Sequence, residues 1–328
     1  MKAVVLAGGY ATRLWPITKD RPKMFLPIGD STVIDRIFAD LEDDDRITEV
    51  FVSTNEYFED EFREYLADRD FEKPTLSIED TTGEDEKFGV VGALAQLVER
   101  EGVDDDLLIV AGDNLLGFDL GEFTDFFEER GEPCLVGYDV GSLERATAYA
   151  PLELDGTEVV DLQEKPDEPE SSLVSIACYA LPAAELPSLE TYLAGDNNPD
   201  EPGWFMQWLV ANRTVHAFTF DGKWFDIGEP EAYLEAVAWE LDGENLVAED
   251  ADLRDAELSG NVHVMAGATV ENSTVENSLV FPGATIRDAA LEGSIVDEQA
   301  VVEELPLSGA VVGAHSRLQP DGWSKRDG

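Results

Sequence analysis

The chain has 328 residues, 43% of them hydrophobic, with 72 acidic against 22 basic side chains and a formal net charge of -50. Such a length supports two domains, or one large domain with an appendage, and enough apolar residues for a sizeable core. The charge speaks against nucleic acid and anionic membranes as partners, because no basic stripe exists to meet phosphates.

The first 240 or so residues alternate strand and helix patterns. Ala3 to Leu6 predicts a strand that delivers the backbone into Gly8-Gly9. Val33 to Leu41 reads as a helix, Glu49 to Ser53 as a second strand, and Glu56 to Leu66 as a helix. A short strand follows at Leu76 to Ile78, then a helix at Val90 to Arg100. Leu107 to Ala111 is a continuous apolar run, the mark of a strand buried on both faces. Phe123 to Arg130 is helical and Pro133 to Tyr138 a strand. This alternation predicts an α/β domain built on a mostly parallel sheet, with ligands beyond the carboxyl ends of its strands. Gly8-Gly9 and Gly112-Asp113 both stand at such ends.

From Tyr149 the pattern changes. Pro151 to Leu154 and Val159 to Gln163 read as an antiparallel pair around Asp155-Gly156. Residues 167–171 read as an exposed loop, and Pro202 to Asn212 and Glu229 to Leu241 as helices. After residue 245 the helical pattern disappears. Aliphatics recur at Val264, Val270, Val275, Val280, Ile286, Leu291, Val296 and Val302, about six residues apart. That period predicts a β-solenoid with the aliphatics pointing inward; a small β-meander is the alternative. Open solenoid ends are often covered by another subunit, so a homo-oligomer through this C-terminal part is expected.

Only eight of the basic residues are Lys. A folded protein with an acidic, lysine-poor surface suits a cytoplasm at high salt, where screening relieves self-repulsion. No signal peptide is visible and no stretch approaches a membrane span, so a cytoplasmic location is expected. Cys134 and Cys178 sit in apolar runs and read as buried free thiols. His216, His263 and His315 are scattered, which disfavours a metal site built on Cys or His.

The chemistry is concentrated near the start of the chain. Glycines after a strand let a nucleotide lie against bare backbone. Arg13 and Lys23 then supply two cations for phosphate oxygens. The loop is not a Walker A, which needs Gly-Lys-Ser/Thr after its spacer, nor a Gly-x-Gly-x-x-Gly dinucleotide fingerprint. The run Gly8-Gly9-Tyr10-Ala11-Thr12-Arg13-Leu14-Trp15-Pro16-Ile17-Thr18, with Pro22-Lys23-Met24-Phe25-Leu26-Pro27 after it, instead resembles a nucleotidyltransferase signature. That signature, Gly-Gly-x-Gly-Thr-Arg-Leu-x-Pro-x-Thr and then Pro-Lys-x-x-x-Pro, belongs to enzymes that make nucleoside diphosphate sugars. Ala11 departs from it at the third glycine. A methyl group there requires a negative φ, or room left by the ligand.

The resemblance implies the nucleotide-diphospho-sugar transferase fold, Rossmann-like, over residues 1–243. A short left-handed β-helix would follow over 244–328. It implies that a sugar 1-phosphate and a nucleoside triphosphate yield a nucleoside diphosphate sugar and pyrophosphate, with Mg2+ as cofactor. Asp113, in Gly112-Asp113-Asn114, and Asp226, in Trp224-Phe225-Asp226-Ile227-Gly228, match the metal-binding positions. Each has a bland alternative, as an acid capping the next turn for Asp113 or the helix near Pro230 for Asp226. Lys165 matches the lysine that meets the sugar phosphate, and Glu164 the acid that meets sugar hydroxyls. Arg13 would stabilise the departing pyrophosphate and Lys23 would bind near the α-phosphate. Gly8 and Gly9 would pack on base and ribose. Gly89 and Gly92 match a nucleoside-binding turn, and Tyr149 a position near the sugar.

Base choice is weakly encoded. The family often has Gln just before this turn; here stand Glu79 and Asp80, with an acidic stretch from Gly83 to Glu86. A carboxylate suits the N–H donors of guanine better than the carbonyls of uracil or thymine. Over the whole chain the resemblance favours dTTP or UTP with glucose 1-phosphate, with mannose-1-phosphate guanylyltransferase as the alternative. A non-catalytic nucleotide-sugar-binding protein, and a bifunctional enzyme whose solenoid is an acyltransferase using His263, are readings from other classes.

Overall fold

The structure is a computed structural model that describes residues 1–79, 89–195 and 197–320. Asp80, the acidic stretch 83–86 and Phe88 lie outside the described residues. By their contacts the residues form two compact units, 1–9 with 33–224 and 10–32 with 225–328.

The first unit is built on a nine-stranded sheet. In chain order its strands are β1 (Lys2–Leu6), β2 (Glu49–Asn55), β3 (Pro74–Glu79), β4 (Leu107–Ala111), β5 (Cys134–Asp139), β6 (Ala150–Asp155), β7 (Glu158–Leu162), β8 (Leu173–Leu181) and β9 (His216–Thr219). They lie side by side as β3-β2-β1-β4-β8-β5-β9-β7-β6. The first four are parallel, with Leu6 opposite Ser53 and Ala111, and Asn55 opposite Glu79. The carboxyl ends of these four strands therefore share one edge of the sheet. β8 runs antiparallel to its three partners β4, β5 and β6, and β7 runs antiparallel to β6 and β9, so the other seven strands point one way.

Val4, Leu107, Ile109 and Leu135 are buried in one cluster with Leu97 of the helix Val90–Arg100 and with Phe205, Met206 and Leu209 of the helix Pro202–Asn212. Burial on both faces explains why these strands read as unbroken apolar runs. Cys134 and Cys178 are buried free thiols, and burial pushes the Cys134 thiol up to about 12. Among the described residues no helix is long and apolar enough to cross a membrane.

The second unit contains the signature segment, the helix Pro230–Leu241, and a stack of short parallel strands from Asn245 to Leu318. The strands form three sheets of five, five and four strands. After a first step from Asn245 to Val262, the partners recur every sixteen residues, as in His263, Leu279, Ile295 and Val311. Three strands per coil, all parallel to their counterparts, are an arrangement consistent with a left-handed β-helix. Each of the eight aliphatics expected to point inward is buried in one core. The corners turn through left-handed backbone, with Asp255, Asn272, Asp288 and Glu304 stacked at one of them. Asn and Asp tolerate that conformation better than most side chains.

Candidate active site

In the first unit, β1 ends where the backbone of β2 takes over. Ala7 N–H donates to Ser53 O at 2.7 Å, Thr54 Oγ1 to Ala7 O at 3.3 Å, and Asn55 Nδ2 to Gly8 O at 2.9 Å. Ser53, Thr54 and Asn55 are buried polar residues, and these bonds satisfy them while fixing the glycine turn. Ser53 Oγ also donates to Glu79 Oε1 at 2.8 Å. A β-carbon at Gly8 would stand 3.1 Å from that carboxylate oxygen, whereas one at Gly9 would meet nothing within 4 Å among the described residues. Packing within the chain thus makes Gly8 tight but leaves the side-chain space at Gly9 open.

Gly112 N–H donates to Leu6 O at 2.9 Å, which sets the turn after β4 beside the end of β1. Asp113 follows, and its Oδ1 accepts from Asn114 Nδ2 at 3.0 Å. Asn114 Oδ1 in turn accepts from Trp224 Nε1. The Trp224 ring meets Tyr149 edge-on, with centroids 5.1 Å apart. Lys165 N–H donates to Tyr149 O at 2.8 Å. One continuous set of contacts therefore links Asp113, Asn114, Trp224, Tyr149 and Lys165, residues far apart in the chain. Two positions after Trp224, in the same short strand, comes Asp226.

Glu164 and Lys165 are adjacent but differently placed. Glu164 is 8% exposed, its N–H donates to Gln207 Oε1 at 2.9 Å, and its carboxylate lies against Gly203 near the start of a helix. Burial pushes its carboxyl up to about 7, with Lys165 lowering it and Glu201 raising it further. Lys165 adopts a left-handed backbone, φ 46°, and its ammonium is paired with Glu201. Strain of this kind is held by the surrounding structure and concentrates at functional sites. Gly89, φ 75°, approaches the backbone of Pro199 and Asp200 so closely that any side chain would collide. Val91 N–H donates to Pro199 O at 3.0 Å across the same contact. Gly92 is buried in the first turn of the helix Val90–Arg100.

In the second unit, Ala11 is in left-handed backbone, φ 47° and ψ 42°. Of the two conditions under which a methyl group fits there, a negative φ is not met, which leaves room left by the ligand as the other: the turn keeps the glycine conformation and carries the strain of a methyl group. Two donors hold Ala11 O, Leu14 N–H at 3.0 Å and Thr18 Oγ1 at 2.8 Å. Arg13 is largely exposed and pairs with Glu229 at 3.1 Å. A β-carbon at Gly228 would lie 3.0 Å from Arg13 Nη2 and 3.5 Å from Asp226 Oδ1, so the guanidinium and the carboxylate border one glycine. Lys23 opens a short 3-10 turn directly after Pro22. Glu229, not Asp226, occupies the N-cap position of the helix Pro230–Leu241. His263 is 7% exposed with burial pushing its pKa down, so its imidazole is not presented as a solvent-facing base.

Asn114, Gln207, Glu201 and Asn55 escaped the reading of the sequence. Each acts by holding another residue, and its partner lies in a different part of the chain. Asn114, next to a motif aspartate, was the one within reach of a local signal.

Residues 2–242 match the Nucleotidyl transferase family. The chain belongs to that family. A Sulfolobus acidocaldarius protein provisionally assigned as a mannose-1-phosphate guanyltransferase is 25% identical over 85% of this chain and 76% of its own. A UTP–glucose-1-phosphate uridylyltransferase from Haloferax volcanii is 27% identical over 72% of this chain and 95% of its own. The fold matches a Bacillus anthracis crystal structure provisionally assigned as a glucose-1-phosphate thymidylyltransferase. It has a TM-score of 0.63 and 22% identity, covering 74% of this chain and 96% of that one. This nucleotidyl transferase is thus an enzyme of the EC 2.7.7 type. The relatives name three different bases, so family membership leaves the base and the sugar open.

Proposed function

We propose that this enzyme is a Mg2+-dependent guanylyltransferase that joins GTP to a sugar 1-phosphate, with mannose 1-phosphate as the first sugar to test. The observation that carries the choice of base is Glu79, whose carboxylate borders Gly8 at the end of β3. An ionised carboxylate only accepts hydrogen bonds. Guanine offers it two adjacent donors, N1–H and the 2-amino group. Uracil and thymine offer a single N–H flanked by carbonyls, which a carboxylate repels. The Sulfolobus relative's assignment supports the same reading. UTP or dTTP with glucose 1-phosphate is the second reading, favoured by the Haloferax relative and by the ability of backbone amides to read a pyrimidine.

In either reading a phosphate oxygen of the sugar 1-phosphate attacks the α-phosphorus and pyrophosphate leaves. Both reactants are anions, so neutralising and aligning them lowers the barrier. Asp113 and Asp226 offer the hard carboxylate oxygens that Mg2+ prefers. They would hold the ion, whose chemistry when bound is to neutralise phosphate oxygens. Arg13 stabilises charge on the departing pyrophosphate and Lys23 the α-phosphate region. Lys165 meets the sugar phosphate, Glu164 accepts from sugar hydroxyls, and Tyr149 borders the sugar. Gly8 and Gly9 lie under the base and ribose, and Gly89 and Gly92 shape the nucleoside turn. Loss of Arg13 or Lys23 is expected to cost roughly 100-fold in rate.

The test is pyrophosphate release at high KCl with Mg2+, over a grid of nucleoside triphosphates and sugar 1-phosphates. Release with GTP and mannose 1-phosphate is expected, and Glu79→Gln is expected to move the preference toward UTP or dTTP. A wild-type preference for UTP or dTTP overturns the guanine assignment. Asp113→Asn and Asp226→Asn are expected to be nearly inactive but folded; activity near wild type removes the metal assignment.

A further inference from the structure

The signature segment lies along one column of the solenoid. In that column Met265, Phe281, Asp297 and Gly313 are stacked sixteen residues apart. Met265 N–H donates to Val280 O, Phe281 N–H to Val296 O and Asp297 N–H to Val312 O, each at 2.9 Å. The first two residues are buried and apolar, although the solenoid's inner core is filled by the positions just before them, Val264, Val280, Val296 and Val312. The third is an aspartate, 1% exposed, and the fourth is a glycine. A carboxylate buried to that extent is costly unless paired and hydrogen-bonded.

Its partner comes from the signature segment. Arg21 Nη2 donates to Asp297 Oδ1 at 2.5 Å, and Nη1 lies 3.4 Å from Glu298 Oε1. The guanidinium also sits over the Phe281 ring, 5.1 Å from its centroid, one coil earlier. One coil later, a β-carbon at Gly313 would stand 2.8 Å from Pro16, so glycine there leaves room for the signature loop. The two residues that break the apolar pattern of the column are therefore the two that receive Arg21 and Pro16. Arg21 leads directly into Pro22, whose ring fixes φ, here -57°, and Pro22 leads into Lys23 at the start of its 3-10 turn. An anchored Arg21 side chain thus sets the direction in which Lys23 leaves the backbone.

We propose that this solenoid column is a template for the segment carrying Arg13 and Lys23, and that Asp297 is a positioning residue acting through Arg21. The inference rests on the reading that Lys23 serves the reaction. It gives the solenoid a part in catalysis within a single chain. Small displacements of groups that act in the transition state lower kcat more than they raise KM.

The test uses the full chain at high KCl, measuring kcat, both KM values and the thermal midpoint. Arg21→Lys keeps the charge but loses the planar fork. It is expected to hold the midpoint near wild type while kcat falls about 5-fold or more, because an ammonium cannot meet Asp297 and Glu298 through separate nitrogens while lying over the Phe281 ring. Arg21→Met combined with Asp297→Leu replaces the pair with apolar groups, an exchange that often preserves stability. Its midpoint is expected to stay near wild type while kcat remains low. An unchanged kcat in Arg21→Lys, or a wild-type kcat in the stable double variant, overturns the proposal. Glu303→Gln breaks two ion pairs on the solenoid, to Arg287 and Arg317, and is expected to leave kcat unchanged; a comparable fall there makes the effect general loosening and overturns it too. Lys23→Met separates the two readings. Full activity in that variant removes the catalytic assignment, whereas its inactivity beside a normal Arg21→Lys variant removes only the template.

Discussion

The carboxylate of Glu164 occupies the space that a side chain at Gly203 would need. Gly203 lies in the first turn of the helix Pro202–Asn212, and Gln207 of the same helix accepts from the Glu164 N–H. The acid is thus held by one helix through its backbone and confined by it at its carboxylate. Gly203→Ala puts a methyl group into that space. Overpacking of this kind costs about 1–3 kcal/mol when the neighbours cannot relax. The cheaper response is for the carboxylate to swing away. The variant is therefore expected to stay folded and to raise KM for the sugar 1-phosphate well above KM for the nucleotide. Steady-state kinetics with each substrate varied in turn checks this, and equal changes in both KM values would remove Glu164 from the sugar side.

Burial that lifts the Glu164 carboxyl to about 7 gives that residue a measurable titration. Its proposed role is to accept from hydroxyls, which needs the ionised form. kcat/KM for the sugar 1-phosphate is expected to rise with pH through about 7, and Glu164→Gln to remove that step. The stability linkage has the opposite sign. The folded state holds this proton more tightly than the unfolded chain, so the contribution is fully present below about 4.5 and is lost as pH rises through about 7. Denaturant unfolding of wild type and Glu164→Gln on both sides of pH 7 measures it. A difference between the two that does not change with pH would contradict the shifted titration.

Ala11 keeps the left-handed backbone of the glycine that the family signature has there. For an L-residue that conformation costs roughly 1–2 kcal/mol. Glycine removes the cost but loses roughly 0.5–1 kcal/mol through the freedom of the unfolded chain. Ala11→Gly is expected to raise stability slightly, by about 0.5 kcal/mol, with activity retained. Chemical denaturation and the pyrophosphate assay check both halves. A loss of activity would show that the methyl group, rather than the turn, is what the site uses.

Much of this was legible because its signals are local or periodic. The run Ala3–Leu6 before Gly8-Gly9 is a buried strand entering a turn, and it folds as one. The solenoid repeats its pattern every sixteen residues, so one imperfect coil does not hide it. β8, Leu173–Leu181, is the longest strand of the sheet, yet its place was not foreseen. Its apolar run says that it is buried, but nothing in it says that it lies antiparallel between β4 and β5. Lys165 carries no glycine or asparagine signal for its left-handed backbone. Gly89 needs to be glycine because of Pro199, and Asp297 can be buried because of Arg21, 276 residues away. Such reasons arise only when distant segments meet.

Salt should act on this protein through two opposed effects. Arg287 bridges Glu271 at 3.0 Å and Glu303 at 2.7 Å, and Arg317 joins Glu303 at 2.6 Å, one coil above another on the solenoid surface. Screening weakens these exposed pairs, which contribute little individually. With 72 acids against 22 bases, most carboxylates have no basic partner, and their mutual repulsion is also screened. The Debye length shrinks from about 10 Å at 0.1 M to about 3 Å at 1 M, which removes repulsion between carboxylates several residues apart. The repulsive pairs far outnumber the attractive ones, so the net effect is stabilising. The thermal midpoint is expected to climb with KCl across the molar range. Arg287→Gln is expected to lower it at low salt, by less as KCl rises. Thermal melts of both proteins over a KCl series decide the matter, and a midpoint that falls with salt would mean that the paired charges outweigh the unpaired ones.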